Sequence, residues 1–531
     1  MLEGCVPWPA ELATKYRREG YWLGRPLGDL LQEACAQHTD RTAVVAGEHR
    51  MTYTELSEKS SELAGGMLAL GIRPLDRVVV QLPNVPEFVV VTFALLRIGA
   101  IPVMALPGHR KVEVAHLGAH SGAVAYVIKD EFQGFDYRCL AREVLTEVPG
   151  IRQILVAGDA QEFTALDTVT TADEPVFPAV DPAEPALLLL SGGTTGLPKL
   201  IPRTHDDYAY NMRACAEAMS VGADDVYLAV NQAAHNAALG CPGVLGTLLV
   251  GGKVVLSTSI RPDDVFPLIH RENVTITTLV PPLVRMWMDA ARKKPVDLSG
   301  VMLQVGSSKF NPLQAEEARK VLGCELTQWF GIGEGLLTYT RIDDSDDVLL
   351  NTEGRPLAEA DEILVVDSAG KPVADGEEGE LLTRGPYTIR GYYRAPEQNA
   401  RAFTEDGYFR TGDLVVRRPD GNIVIVGRIK DVINRAGDKV PPEEVEEHLL
   451  AHPAVIDAAV VGVTDSVLGE RCYAFVILRD SDVRPPEIKA FLRGRGLAVY
   501  KIPDKVVPLD RFPHTAVGKV DKSALRSSIA G

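Results

Sequence analysis

The chain has 531 residues, 46% hydrophobic and 24% charged, an ordinary globular composition for about two to four domains that needs no disulfide or metal staple. Lys and Arg number 55 against 72 Asp and Glu, a formal net charge of −17. That excludes broad nucleic-acid binding, which needs a basic footprint, but leaves room for an anionic substrate held by a few local cations. Residues 1–20 are amphipathic and charged without an apolar stretch, so no signal peptide is expected. Thr52-Tyr53-Thr54-Glu55 predicts a helix start, with Thr52 as N-cap, leading into helical apolar spacing over 54–70. Residues 77–81 (RVVVQ), 123–128 (AVAYVI) and 153–156 (QILV) read as buried strands. Strands and helices alternate, which predicts α/β layers with parallel sheets, and the pattern recurs around 251–255 and 274–280. The apolar runs 85–96 and 186–190 are too short or too broken to span a bilayer, so no membrane partner is expected.

After the strand at 186–190 comes Ser191-Gly192-Gly193-Thr194-Thr195-Gly196-Leu197-Pro198-Lys199. Its glycines let backbone N–H groups turn toward an anion, its hydroxyls add donors, and Lys199 adds charge, as a triphosphate requires. It is not a Walker A loop, because Lys199 follows proline and no Ser or Thr comes next. From about residue 354 the texture becomes turn-rich β, with segments at 362–367, 379–383, 407–414 and 421–426. Asp-Gly pairs at 375–376, 406–407 and 420–421 suggest hairpins and a small barrel-like unit. Beyond Arg428-Ile429-Lys430-Asp431 a compact αβ pattern runs to the end: a helix start at 441–444, strands at 458–463 and 473–478, and a helix at 487–497. The main domain boundary is placed at Lys430, giving a core domain of 1–429 and a smaller one of 430–531.

The seven cysteines (Cys5, Cys35, Cys139, Cys215, Cys241, Cys324, Cys472) are scattered without a C-x-x-C. Neither a disulfide framework nor a zinc knuckle follows, and a reducing cytoplasm fits best. His116 and His120 share a helical face but have no third ligand, so a surface helix is the better reading. Gly331–Gly335 is G-x-G-x-G and lacks a following ribose acid, which speaks against a dinucleotide fold. There is no G-x-S-x-G to support a serine hydrolase.

The loop SGGTTGLPK closely resembles the phosphate loop of the adenylate-forming superfamily, which includes acyl-CoA synthetases, luciferases and nonribosomal-peptide adenylation domains. The resemblance continues in order through LLRIGAIPVMALP (95–107), QWFGIGEG (328–335), GYFRTGDL (407–414), GRIKD (427–431) and PHTAVGK (513–519). It implies a large N-terminal domain of layered α/β subdomains plus a barrel-like β unit, with a small α+β C-terminal domain that rotates about a hinge at Lys430. It implies ATP and Mg²⁺. It assigns Ser191, Gly192, Gly193, Thr194, Thr195, Lys199, Gly306, Gly331, Asp413 and Arg428 to the nucleotide, Glu334 to the metal, and Lys519 and His235 to catalysis. Residue chemistry agrees. Asp413 follows a Thr-Gly turn, where a carboxylate accepts bonds from vicinal ribose hydroxyls, although an isolated Gly-Asp more often caps a turn. Glu334 lies between two glycines that let an ion approach, and Mg²⁺ takes one or two carboxylates with phosphate oxygens. Lys519, in a Thr-Ala-Val-Gly loop, is a mobile point charge.

Within the superfamily, AAHNAALGCPGVLG (233–246) most resembles the stand-alone enzymes that activate salicylate or 2,3-dihydroxybenzoate in siderophore and aryl-capped peptide synthesis. His235-Asn236 stands where amino-acid-activating relatives hold the α-amine with an aspartate. Asn236 suits an ortho-hydroxyl or ring nitrogen. Cys241 and Leu337 match the salicylate pattern. Ala237, in place of Tyr or Phe, opens volume, and Trp329, in place of valine, either refills it or stacks on a flat substrate. Gly306 belongs to the same aryl site. Salicylate therefore competes with a bicyclic acid such as hydroxyquinaldate, quinoxaline carboxylate or naphthoate.

The resemblance implies two half-reactions: in-line attack of the carboxylate on the α-phosphate, then attack of a phosphopantetheine thiol on the acyl-AMP, with Gly437 flanking the thiol's path. Ala436 and Asp438 depart from the Gly-Gly-Glu usual around that position. The expected acceptor is an aryl carrier protein. Coenzyme A is the alternative, and a non-catalytic nucleotide-binding scaffold is the reading of another class.

Overall fold

Val78 and Val80 point into one hydrophobic core and Val79 into another, so the strand Arg77–Gln81 is buried on both faces. That explains its unbroken apolar run, since a parallel strand covered on both sides needs no polar alternation. The computed structural model describes residues 1–171, 175–191, 197–435, 438–465, 467–479, 483–495, 497–515 and 518–529.

Arg77–Gln81 lies inside a seven-stranded sheet that ends with Pro185–Leu190 and the antiparallel Leu200–Thr204. A second sheet of nine strands has a parallel centre. It includes Val226–Ala229, Ile276–Leu279, Met302–Gly306 and Glu325–Gly331, and Leu337–Tyr339 turns back antiparallel beside the last of these. Between the two sheets the helices Tyr53–Ala69, Pro86–Arg97 and His205–Ala218 contribute to one continuous core. The Thr52 start is a capping box: its side chain accepts from the Glu55 N–H, and a Glu55 oxygen accepts from the Thr52 N–H at 2.7 Å. Such a cap contributes about 1 kcal/mol.

The barrel-like unit takes the form of an antiparallel meander, Glu362–Val366, Glu378–Arg384, Phe409–Arg417 and Ile423–Arg428. Four strands in linear order leave it an open sheet. The Asp420-Gly421 turn joins its last two strands with Gly421 at φ +82°. The smaller C-terminal domain is a five-stranded sheet, dominated by the pair Val455–Asp465 and Gly469–Leu478, with helices Pro442–Leu450 and Pro485–Gly494 on it. It meets the larger domain at an ion pair, where Arg285 of the helix Pro281–Lys293 lies 2.5 Å from Asp457. No described helix is long and apolar enough to cross a membrane.

Candidate active site

Ser191 and Lys199 close the base of the glycine-rich loop. The Ser191 N–H donates to the Lys199 carbonyl at 3.0 Å, and the Lys199 N–H donates to Ser191 Oγ at 3.0 Å. Gly192, Gly193, Thr194 and Thr195 lie outside the described residues, as does Gly437. The Lys199 ammonium sits 4.1 Å from the centre of the Tyr392 ring, and the Tyr392 hydroxyl donates to Glu334 Oε1 at 2.7 Å. Burial lowers the Lys199 pKa, opposed by the nearby Glu334 carboxylate.

These residues border a cavity of about 740 Å³. His235, Asn236, Ala237, Trp329 and Gly331 line one part of it, and Arg428, Lys430 and Lys519 another. Lys519 arrives from the C-terminal domain on a loop held by bonds between the Thr515 N–H and the Lys519 carbonyl (2.7 Å) and between the Lys519 N–H and Thr515 Oγ1 (3.2 Å). Burial, with Arg428 and Lys430 close by, brings its pKa down to about 8, while Asp413 pulls the other way. Asp413 and Arg428 are cross-strand partners, with Nε 2.8 Å from Oδ1. Asp413 Oδ2 is buried with no hydrogen-bond partner among the described residues. Burial pushes the Asp413 carboxyl up, against the pull of Arg428.

His235 caps the short helix Asn236–Gly240 by accepting from the Ala237 N–H at Nδ1, 3.3 Å, which leaves Nε2 as the protonated nitrogen of the neutral ring. Burial, then Lys519, lowers its pKa to about 4. Asn236 Oδ1 accepts from the Tyr208 hydroxyl at 2.9 Å, and Nδ2 faces Cys241 Sγ at 3.7 Å. Gly306 and Trp329 are register partners. A Cβ on Gly306 would lie 2.4 Å from Trp329 Nε1, and one on Gly331 would lie 2.8 Å from Trp329 Cζ3, so the indole lies across bare backbone at both glycines. The indole also stacks on Tyr339, with ring centres 6.0 Å apart.

Among the described residues, four of the expected ones are buried and are not among those lining the cavity: Gly306, Cys241, Leu337 and Asp413, the last on the strand whose Arg410, Thr411 and Gly412 do line it. Leu337 reaches Trp329's neighbourhood through Gly331, whose Cβ would fall 2.3 Å from Leu337 Cδ2. Two tyrosines escape sequence reasoning. Tyr392 and Tyr208 meet their partners across 58 and 28 positions, and neither sits in a motif that signals the contact. His116 and His120 stack at 5.3 Å, and His116 Nε2 reaches the Pro198 carbonyl at 3.1 Å. Among the described residues no cluster of three metal-ligating side chains occurs.

The fold and this cavity define an AMP-binding enzyme of the adenylate-forming superfamily, and the chain belongs to that family. The AMP-binding enzyme family matches residues 31–393, and the AMP-binding enzyme C-terminal domain matches 444–519. In particular, the chain is 64% identical over 527 residues to triostin synthetase I of Streptomyces triostinicus, covering 99% of each. It is 53% identical to the 2,3-dihydroxybenzoate-AMP ligase of Bacillus subtilis, covering 100% of this chain and 98% of that one. The solved apo structure of Mycobacterium smegmatis MbtA is 47% identical, with a TM-score of 0.77 and coverage of 99% of this chain and 98% of that one.

Proposed function

We propose that the enzyme activates a flat aryl carboxylic acid with ATP to the aryl-AMP and then transfers the aroyl group to a phosphopantetheine thiol of a carrier protein, releasing AMP. One observation carries the first half: Lys519 reaches the same cavity that His235 and Asn236 line. A carboxylate between them would meet an ammonium and a neutral Nε2–H donor. Attack on the α-phosphorus forms the C–O–P anhydride bond and breaks the bond to pyrophosphate. Positioning and charge neutralisation supply most of the acceleration in such transfers.

The residues suit a nucleotide. Asp413 has one oxygen fixed by Arg428 and one orphaned, which fits a ribose hydroxyl donor. Glu334 is a single carboxylate beside Lys199, the usual protein share of a magnesium site completed by phosphates. Bound there, Mg²⁺ would neutralise charge on the triphosphate. The boundary at Lys430 serves as the hinge, so that the C-terminal domain carries Lys519 in for the first step and withdraws it for the second.

The family's His-Asn pair at 235–236 disfavours an α-amino acid, and Trp329 and the small Ala237 line the same cavity. Salicylate and bicyclic acids such as 3-hydroxyquinaldate, quinoxaline-2-carboxylate and a naphthoate are the proposed substrates, the bicyclic ones bound better. Exchange of labelled pyrophosphate into ATP, followed by loading of a carrier protein against loading of coenzyme A, tests both halves. Exchange driven by α-amino acids and not by aryl acids would overturn the first. Turnover with coenzyme A alone would overturn the choice of acceptor.

A further inference from the structure

Tyr208 lies in the first turn of the helix His205–Ala218, fully buried at 0% exposure, and its hydroxyl donates to Asn236 Oδ1 at 2.9 Å. It has little room to move. A Cβ on Gly240 would lie 2.4 Å from its hydroxyl oxygen, and the Arg203 guanidinium, paired with Asp207 at 2.7 Å, stands 4.9 Å from its ring. A buried hydroxyl proton needs an acceptor, and here that acceptor is the amide oxygen of Asn236. The amide is thereby turned with its oxygen inward. Its NH₂ group carries two protons, of which the Cys241 sulfur, a weak acceptor at 3.7 Å, takes at most one. Asn236 itself borders the cavity.

We propose that Tyr208 is a positioning residue that locks Asn236 as a hydrogen-bond donor toward the bound acid, so that the enzyme selects aryl acids whose ortho position accepts a hydrogen bond. This rests on the aryl-acid reading above and deepens it. A pyridine-type nitrogen accepts and cannot donate. A salicylate hydroxyl gives its proton to its own carboxylate and accepts on oxygen. An ortho-amino group turns N–H toward N–H, and its lone pair is delocalised into the ring, so the Asn236 donor and the substrate are both left unpaired.

The test is pyrophosphate exchange by the full-length enzyme with four monocyclic probes that differ at the ortho position: pyridine-2-carboxylate, salicylate, anthranilate and benzoate. For the wild type, kcat/KM for the first two should exceed that for anthranilate by about tenfold or more. In Tyr208→Phe the amide is free to reverse, and the ratio of pyridine-2-carboxylate to anthranilate should fall to about threefold or less, with the change in KM for the acids and not in kcat. A merely structural role would depress all four probes alike. Anthranilate matching pyridine-2-carboxylate in the wild type overturns the proposal whether or not the variant folds, and so does an unchanged ratio in a folded Tyr208→Phe. If no probe supports exchange and α-amino acids do, the aryl-acid reading itself has failed and the proposal falls with it.

Discussion

Asp413 and Arg428 face each other across adjacent antiparallel strands, joined at 2.8 Å through one carboxylate oxygen, while the other oxygen is buried without a partner among the described residues. A half-satisfied buried carboxylate is costly unless a ligand completes it. Asp413→Asn keeps the shape and one acceptor but loses the charge. KM for ATP should rise about tenfold or more while KM for the acid changes little. An unchanged KM for ATP in steady-state exchange kinetics would separate Asp413 from the nucleotide.

Lys519→Ala should abolish adenylation yet leave thiol transfer from pre-formed aryl-AMP largely intact, because Lys519 reaches the cavity from the C-terminal domain while the residues proposed for the nucleotide and the acid belong to the larger one. In the role proposed for it, loss of the Lys519 charge costs about 3–4 kcal/mol of transition-state stabilisation, or a few hundredfold in rate. Exchange at the wild-type rate would contradict the assignment.

The pH dependence follows from the same lysine. A lysine whose pKa is lowered keeps its charge below the lowered value and loses it above, so kcat/KM for adenylation should fall as pH rises through about 8. His235, lowered to about 4, is neutral throughout the neutral range and should add no transition between about pH 5 and 7. A pH–rate profile checks both, and Lys519→Arg should remove the alkaline fall, since arginine stays charged there.

Arg285 and Asp457 pair across the two domains in the arrangement that has Lys519 lining the cavity. Arg285→Ala should slow adenylation several-fold and spare the thiol half-reaction. If Lys430 is the hinge proposed above, Lys430→Pro fixes φ where the swing must change it, so one half-reaction should survive and the other fall. Assays of each half-reaction separately would expose equal losses, which would argue against both roles.

Ala237→Phe should shift preference from bicyclic acids toward salicylate by filling the wall beside Trp329, measured as the ratio of kcat/KM values. No change would mean that the Trp329 indole, already 5% exposed, has taken the space.

Much of this was legible in sequence because glycine and turn chemistry is local. Gly421 at φ +82° and the Thr52 capping box follow from two and four consecutive residues. Lys199, Glu334, Arg428, Lys430 and Lys519 belong to short motifs, and the fold gathers them around one cavity. Depth is not local. Nothing in the spacing of Cys241 and Leu337 tells that they lie behind Asn236 and Gly331, since that depends on which strands become neighbours. Tyr208 and Tyr392 were invisible for the same reason: a tyrosine in a helix or loop carries no mark of the distant side chain its hydroxyl will meet.

The most direct measurement is ATP–pyrophosphate exchange by the full-length enzyme across benzoate, salicylate, 2,3-dihydroxybenzoate, 3-hydroxyquinaldate, quinoxaline-2-carboxylate, a naphthoate and the α-amino acids. Exchange should require an added acid and be strongest with a flat aryl acid bearing an ortho hydroxyl or ring nitrogen. Benzoate should be about ten- to a hundredfold weaker than salicylate, and α-amino acids inactive. Exchange led by an α-amino acid or by 2,3-dihydroxybenzoate, or none with any aryl acid, would contradict the account.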